Sequence, residues 1–172
     1  MRPYRQFGRS GAAWGLSLIV VLALATAQAR FDAGGSSGAG LVNSEGSRAV
    51  FVAYMQNHDA GSYAENATFE LAGPGVVFAG REAIGEALGM FYGGAFTDTE
   101  PRTRSFVIHG GTVVLEFVFN GTHTGEFLGL PATNRRVSIP MLGIYTINGD
   151  SIQAARLYFD HATLMRQLGH GE

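Results

Sequence analysis

The sequence predicts an α+β domain in which a curved antiparallel sheet wraps over N-terminal helices. Apolar residues recur with helical spacing in the first half of the 172-residue chain, and alternation of apolar and polar residues dominates after Pro101. Turn signals such as Asn148-Gly149 separate the alternating segments, as they do in antiparallel hairpins. Helices that precede a run of strands are typical of α+β folds.

Each element is predicted from its own pattern. The first helix has apolar residues at Val50, Tyr54 and Met55, and Gly61 just beyond it suits the left-handed conformation that ends helices. The second helix contains two glycines four residues apart, which weaken it but allow close packing against a sheet. The predicted elements are, in order, a helix over 43–58, a strand over 68–73, a helix over 81–96, strands over 102–110, 112–125, 135–147 and 151–160, and a helix over 161–169.

The N-terminus has the pattern of a targeting segment. Arg2, Arg5 and Arg9 precede an uncharged apolar run over residues 11–27, and small residues at alternate positions follow it, as at signal-peptide cleavage sites. We therefore expect a secreted or periplasmic protein, or one anchored to the membrane through this segment alone. The predicted organisation is a signal peptide or uncleaved anchor at 1–29, a flexible linker at 30–40 and a folded domain at 41–172.

Composition excludes several classes of protein. A formal net charge of −2 argues against nucleic-acid binding, which usually requires a basic surface. The absence of cysteine excludes disulfides, thiolate metal sites and a cysteine nucleophile. The five histidines lack the spacing of metal ligands, and no phosphate-cradling loop is present. We therefore expect neither a metal nor a cofactor.

Alternation along the strands sorts the candidate site residues by face. Phe117 and Phe119 share one face of their strand with His123, so an apolar interior on that face would include this histidine. His123 is then either a pocket residue or a hydrogen-bonded structural histidine at a strand end. His58, next to Asp59, belongs either to a turn or to the cavity.

The last strand carries the polar candidates. Arg156, Tyr158 and Asp160 share one face, and we expect that face to point inward, where charged groups need partners or a ligand. Asp160 also precedes the closing helix, where its carboxylate would accept backbone hydrogen bonds as an N-cap. The capping and catalytic roles can coexist.

The second half of the chain resembles the SnoaL-like polyketide cyclase (ester cyclase) group. The run from Gly121 to Gly169 contains a G-x-H-x-G strand, a G-x-P turn, an Arg-Arg pair, an N-G-D turn, and an R-x-Y-x-D motif followed by Q-L-G. Weaker similarities at 57–59 and 78–84 extend the resemblance over residues 44–169. This group belongs to the superfamily of nuclear transport factor 2, ketosteroid isomerase and limonene epoxide hydrolase.

The resemblance implies a cone-shaped α+β barrel around a deep, mostly apolar pocket. In the polyketide cyclases an aspartate of the last strand is the acid/base of an intramolecular aldol ring closure. By analogy Asp160 would be the base, His123 a proton donor or orienting group, and Arg156 or Tyr158 the anion stabiliser, without any cofactor. The strand itself holds no carboxylate before Asp160, so a helix cap is the alternative role for this residue.

The resemblance also implies a ligand class and an oligomeric state. We expect a small apolar, carbonyl-containing or polyketide-like molecule in the pocket, and a homodimer formed through the sheet. The alternative to a cyclase or isomerase is a non-catalytic module that binds a small molecule or lipid outside the cytoplasm. The predicted substrate-binding residues are Tyr158, Arg156, Phe117, Phe119, Met141, Tyr54 and His58.

Overall fold

A computed structural model of the protein describes residues 44–170. The predicted signal peptide and linker lie outside the described residues, so the predictions about them and about export stay predictions. Within the described part, no helix is long and apolar enough to cross a membrane.

Three helices and seven strands form the described domain. The predicted order of helices followed by a run of strands is confirmed. In chain order the elements are helix α1 (Ser44–Asn57), a 3-10 turn (Ala60–Ser62), strands β1 (Tyr63–Leu71) and β2 (Val76–Ala79), helix α2 (Arg81–Gly89), an irregular helical turn (Met90–Gly94), strands β3 (Phe96–Thr97), β4 (Arg102–His109), β5 (Thr112–His123), β6 (Arg136–Asn148) and β7 (Ser151–Phe159), and helix α3 (His161–Leu168).

All seven strands belong to one curled sheet with the order β2-β1-β7-β6-β5-β3, and β4 also pairs with β5. The predicted α+β class is confirmed, with one difference in strand direction. The sheet is mixed, because β1 runs parallel to β7 while every other pair is antiparallel. The successive turns from β4 to β7 fix the direction of β7, and β1 enters beside it in that same direction.

The core lies between the helices and the inner face of the sheet. Alternation along β5 and β6 buries every second residue, as a strand with one covered face requires. Helix α1 covers this face with Phe51 and Tyr54, and α2 adds Ile84 and Leu88. The aromatic face predicted for β5 is therefore the inner one.

The inward face predicted for β7 is wrong for Arg156, Tyr158 and Asp160. In the pairing of β7 with β6, Ile152 and Ala154 pair with adjacent residues of β6. Gln153 between them has no partner and is the extra residue of a β-bulge. Because one extra residue reverses the alternation, Ile152 is buried near the start of the strand, whereas Ala155 and Leu157 are buried after the bulge. Arg156, Tyr158 and Asp160 consequently lie on the outer surface.

Candidate functional site

A small cavity lies inside the domain, where helices α1 and α2, the irregular turn and strands β1, β5, β6 and β7 meet. Its volume is about 20 Å³, which is room for roughly one water molecule. Seven of its ten lining residues are aromatic, and four of the predicted site residues are among them. The lining residues are Tyr54, Phe69, Leu88, Phe91, Tyr92, Phe117, Phe119, Met141, Tyr145 and Leu157.

Three buried tyrosines supply polar groups to this interior. The ring of Tyr54 lies 5.5 Å from that of Tyr63 and 5.7 Å from that of Tyr145 between centroids. Room for Tyr145 comes from Gly143, because a Cβ there would lie 2.6 Å from the Cε2 atom of Tyr145. The hydroxyl of Tyr63 is fully buried behind Tyr54 and makes no hydrogen bond of regular geometry among residues 44–170, although the Tyr54 phenol interacts with it. Tyr63 itself does not line the cavity.

Burial keeps these three phenols protonated. It is the largest cause that raises the pKa of Tyr54, Tyr63 and Tyr145 well above the ordinary value of 10.0. Charge repulsion from neighbouring phenols acts in the same direction, since a second negative charge in an apolar space is unfavourable. A hydrogen bond from a neighbouring phenol partly opposes the rise of the pKa for Tyr54 and Tyr63. At neutral pH the cluster therefore offers hydroxyl donors and no formal charge, which suits a carbonyl or enolate oxygen.

His58 lies at the edge of this cluster, directly after α1. Its backbone N–H donates to the Tyr54 carbonyl oxygen at 2.7 Å, and its φ of 47° is left-handed. The imidazole stacks on Tyr92 with 4.1 Å between ring centroids. Burial lowers the pKa of His58 from 6.5 to about 4, so the ring is neutral at neutral pH.

His123 is fully buried but does not line the cavity. The backbone N–H of Thr133 donates to its Nδ1 at 3.3 Å, and the Thr133 hydroxyl oxygen lies 3.1 Å from the same atom. Nδ1 is therefore an acceptor, and the ring proton resides on Nε2. Its ring packs on Phe96 at 5.2 Å, and Phe96 in turn packs on Phe119, so His123 is connected to the cavity only through other side chains.

Asp160 is an N-cap on the surface. Its Oδ1 accepts the backbone N–H of Thr163 at 3.0 Å, and Oδ2 accepts the Thr163 hydroxyl. Hydrogen bonds from the Thr163 hydroxyl and then from its backbone lower the pKa of Asp160 below the ordinary value of 3.8. The carboxylate is therefore ionised and bound to the start of α3, which is the alternative role that the sequence allows.

Arg156 and Tyr158 form a separate group on the outer face of the sheet. The Arg156 Nε donates to Glu70 Oε2 at 2.6 Å, and its Nη1 donates to the Tyr158 hydroxyl at 3.3 Å. The structure thus brings Tyr54, Phe117, Phe119 and Met141 together, with His58 beside them, and places Arg156, Tyr158 and Asp160 elsewhere. Among residues 44–170 no group of three or more acidic or histidine side chains could hold a metal ion.

Sequence reasoning did not identify Tyr63, Tyr92 and Tyr145 as site residues. Tyr145 shares the face of Met141 along β6, so alternation could have found it. Tyr63 lies between the predicted first helix and the predicted first strand, and Tyr92 lies within the predicted second helix. No pattern in the sequence distinguishes these two positions.

Comparison with known proteins agrees with this fold. The family model for SnoaL-like polyketide cyclases matches residues 59–168. No curated protein matches the sequence significantly.

Several solved structures share the architecture. A protein assigned as a SnoaL-like polyketide cyclase from Jannaschia sp. CCS1 has 14% identity and a TM-score of 0.65, with 80% of this chain and 100% of that chain covered. A protein with a ketosteroid isomerase-like fold from Catenulispora acidiphila has 16% identity and a TM-score of 0.58, over 72% and 92% of the two chains. IdmH of Streptomyces antibioticus, assigned as a polyketide cyclase, has 23% identity and a TM-score of 0.54, over 72% and 98%. At these identities the likeness concerns the fold.

The capping role of Asp160 predicts a specific pattern of stability. Asp160→Ala removes both acceptors at the start of α3 and should lower Tm by a few degrees. Asp160→Asn keeps a side-chain oxygen at the cap and should stay close to wild type. Thermal unfolding followed by circular dichroism measures both variants, and an alanine variant as stable as wild type would contradict the cap.

Burial of neutral His58 predicts a pH dependence of stability. Because the folded pKa of about 4 lies below the unfolded value of 6.5, the unfolded state binds more protons between these values. Stability is complete above pH 6.5 and should fall by roughly 2–3 kcal/mol as the pH decreases to 4. His58→Asn, which tolerates the left-handed backbone, should reduce this loss in urea unfolding.

His123 acts in the same direction, because burial and the nearby His170 lower its pKa. The slope should therefore decrease without vanishing in His58→Asn. An unchanged slope between pH 4 and 6.5 would show that His58 does not lose its proton on folding.

Proposed function

The chain belongs to the SnoaL-like polyketide cyclase family, and from this premise we propose that it binds a small, largely apolar carbonyl compound in its aromatic interior. In this proposal the buried tyrosine hydroxyls donate hydrogen bonds to the carbonyl oxygen. The interior supplies apolar contact, and the phenols supply the few polar groups that orient a ligand.

The observation that carries the proposal is the incompletely satisfied hydroxyl of Tyr63. A buried hydroxyl without a well-formed hydrogen bond costs up to about 1–3 kcal/mol. The folded protein therefore retains an incompletely satisfied group next to Tyr54, which lines the cavity. A ligand oxygen within reach would satisfy that group. The neighbouring phenols of Tyr54 and Tyr145 line the cavity and carry no charge, so a carbonyl fits better than a carboxylate.

Binding is favoured over the aspartate-dependent ring closure of the cyclases. Asp160 is the carboxylate that the resemblance suggested as base, and it is an exposed helix cap. Among the described residues, the buried side chains include no carboxylate. In this proposal the carbonyl compound is held without aldol chemistry at Asp160.

Enolisation of the bound carbonyl is the second candidate, and the tyrosine cluster favours it. Protonated phenols in an apolar surround are suitable donors for the oxygen of an enolate. His58 is then the nearest imidazole to the cavity, through its stacking contact with Tyr92. With a pKa of about 4, His58 is a weak base, which ranks this candidate below binding.

Acetophenone and ethylbenzene form a matched pair of ligands with and without a carbonyl. We expect acetophenone labelled with ¹³C at the carbonyl to bind, with a downfield shift of its carbonyl resonance in an NMR titration. Tyr63→Phe should raise the stability of the free protein by about 1 kcal/mol and weaken acetophenone binding five- to tenfold, with ethylbenzene binding unchanged. Thr146→Val, which removes an exposed hydroxyl on the outer face of β6, is the control and should change neither quantity.

Two results would contradict the binding proposal: no binding of acetophenone, or equal affinity for acetophenone in wild type and Tyr63→Phe. The same samples in D₂O separate the two candidate functions. Methyl protons of bound acetophenone that persist support a binding module, whereas their accelerated exchange supports enolisation.

The proposal also includes export and assembly as a homodimer. Export is supported by the arginine-rich start and apolar run within residues 1–29. Dimer formation is supported by an open apolar groove of about 500 Å³ on the outer face of the sheet. Leu142 and Tyr158 line it and are 38% and 39% exposed, which is unusual for large side chains at the centre of a sheet.

Mass measurements on protein recovered from the periplasm or medium test both parts. Its intact mass should lack the signal peptide, and light scattering should give twice that intact mass. Leu142→Arg should yield a monomer, because it places a charge in the apolar groove. Val107→Arg is the matched control, since Val107 is 62% exposed but lies outside the groove, and it should stay dimeric. A full-length intact mass would contradict export, and a monomeric wild type would contradict the dimer.

A further inference from the structure

The interior cavity is too small for the ligand proposed above. A cavity that binds benzene measures about 150 Å³, whereas this one measures about 20 Å³. A carbonyl compound can therefore enter only if a side chain that lines the cavity moves away. The structure indicates which side chain this is.

Tyr92 is the lining residue that separates the cavity from solvent. The other nine lining residues are buried, and Tyr92 is the one that is partly exposed. Most of these neighbours are fixed by regular strands or helices. Phe91 shares the irregular turn with Tyr92, but it is packed between the rings of Phe96, Phe119 and Phe127.

The backbone around Tyr92 is suited to movement. Its φ and ψ of −121° and 68° are not helical, and Gly93 follows with a φ of 112°. A Cβ atom built on Gly89 or Gly93 would meet nothing within 4 Å, so the surroundings leave space at these two positions, whereas Gly94 is closely packed. Glycines add conformational freedom that other residues lack.

The ring of Tyr92 also lies between two other aromatic rings, one stacked on it and one meeting it edge-on. It stacks on His58 at 4.1 Å with an angle of 30° between planes, and meets the ring of Phe119 at 6.4 Å and 76°. His58 is held in place by the bond from its N–H to the Tyr54 carbonyl. A planar ring that replaced the phenol could make the same stacking contact with His58 and the same edge contact with Phe119.

We propose that Tyr92 is the internal occupant of a ring-binding site, and that a planar aromatic or conjugated carbonyl compound displaces its phenol and stacks on His58. This inference rests on the proposed function and specifies its ligand class. Tyr92 lines the cavity together with Tyr54 and Tyr145, so a ring in its place shares the cavity with these two tyrosines.

Displacement has a thermodynamic consequence for affinity. The state that binds is the one with Tyr92 moved outward, and the apparent Kd is weakened by the small population of that state. Removing the phenol removes this penalty, so a truncated residue 92 should bind ring ligands more tightly than the native tyrosine. Most substitutions in a binding site have the opposite effect.

Acetophenone and cyclohexyl methyl ketone test the inference, since they share the carbonyl and differ in the planarity of the ring. Tyr92→Ala should bind acetophenone at least tenfold more tightly than wild type by NMR titration. Val77→Ala, which truncates a side chain that is 58% exposed and lies outside both the cavity and the outer groove, is the control and should match wild type. Wild type and Tyr92→Ala should each bind acetophenone at least fivefold more tightly than cyclohexyl methyl ketone.

A second measurement uses the wild type alone and does not depend on the folding of a variant. The ring protons of His58 should shift when acetophenone binds, because one aromatic ring replaces another above the imidazole. If acetophenone binds while these signals stay unchanged and Tyr92→Ala gains no affinity, the inference is wrong and the proposed function stands. If acetophenone binds neither wild type nor Tyr92→Ala, both are wrong. Equal affinity for the two ketones overturns the assignment to planar rings.

Discussion

The pairing of β5 with β6 fixes the positions of Phe117, Phe119 and Tyr145, the inner-face aromatic residues against which the helices pack. Its eleven residue pairs place Phe117 opposite Met141 and Val113 opposite Tyr145, all on the inner face. A slip of one residue would turn these side chains to the outer surface, so the pattern of burial and the register of the sheet specify each other. Gly143 is part of the same constraint, because the ring of Tyr145 lies where a side chain at 143 would be.

This constraint explains why the interior contains phenols and no carboxylate among the described residues. Helix α1, β1 and β6 each contribute one buried tyrosine, and the ring of Tyr54 packs on those of Tyr63 and Tyr145. An ionised carboxylate in this apolar interior would be strongly destabilised, whereas a phenol stays neutral and still donates a hydrogen bond. The incompletely satisfied hydroxyl of Tyr63 lowers the stability of the free protein and leaves a donor for a ligand. A domain selected for stability alone would carry phenylalanine there.

The sequence predicted those parts of the fold that follow from local pattern. Alternation in β5 placed Phe117 and Phe119 correctly, because the strand is regular along its whole length. The same reasoning failed for β7, because the extra residue Gln153 reverses the alternation. No residue type in this segment indicates a bulge. Sequence reasoning also missed Tyr63 and Tyr92, since the position of a side chain in an irregular segment depends on tertiary contacts. The sequence therefore predicted the apolar lining, Tyr54 and His58, but not the other tyrosines of the candidate site.

The charged groups that the resemblance suggested for catalysis have structural roles on the surface of this domain. Asp160 stabilises the start of α3 as an ion, and Arg156 pairs with Glu70 on the outer face, so both charges contribute to the surface. Neither group can reach the cavity without reversing the face of β7, and the bulge at Gln153 determines that face. The chemistry available inside is therefore that of tyrosine hydroxyls and a neutral imidazole. Because such groups bind and orient a carbonyl more readily than they remove a proton beside it, binding is the function that we propose for this interior.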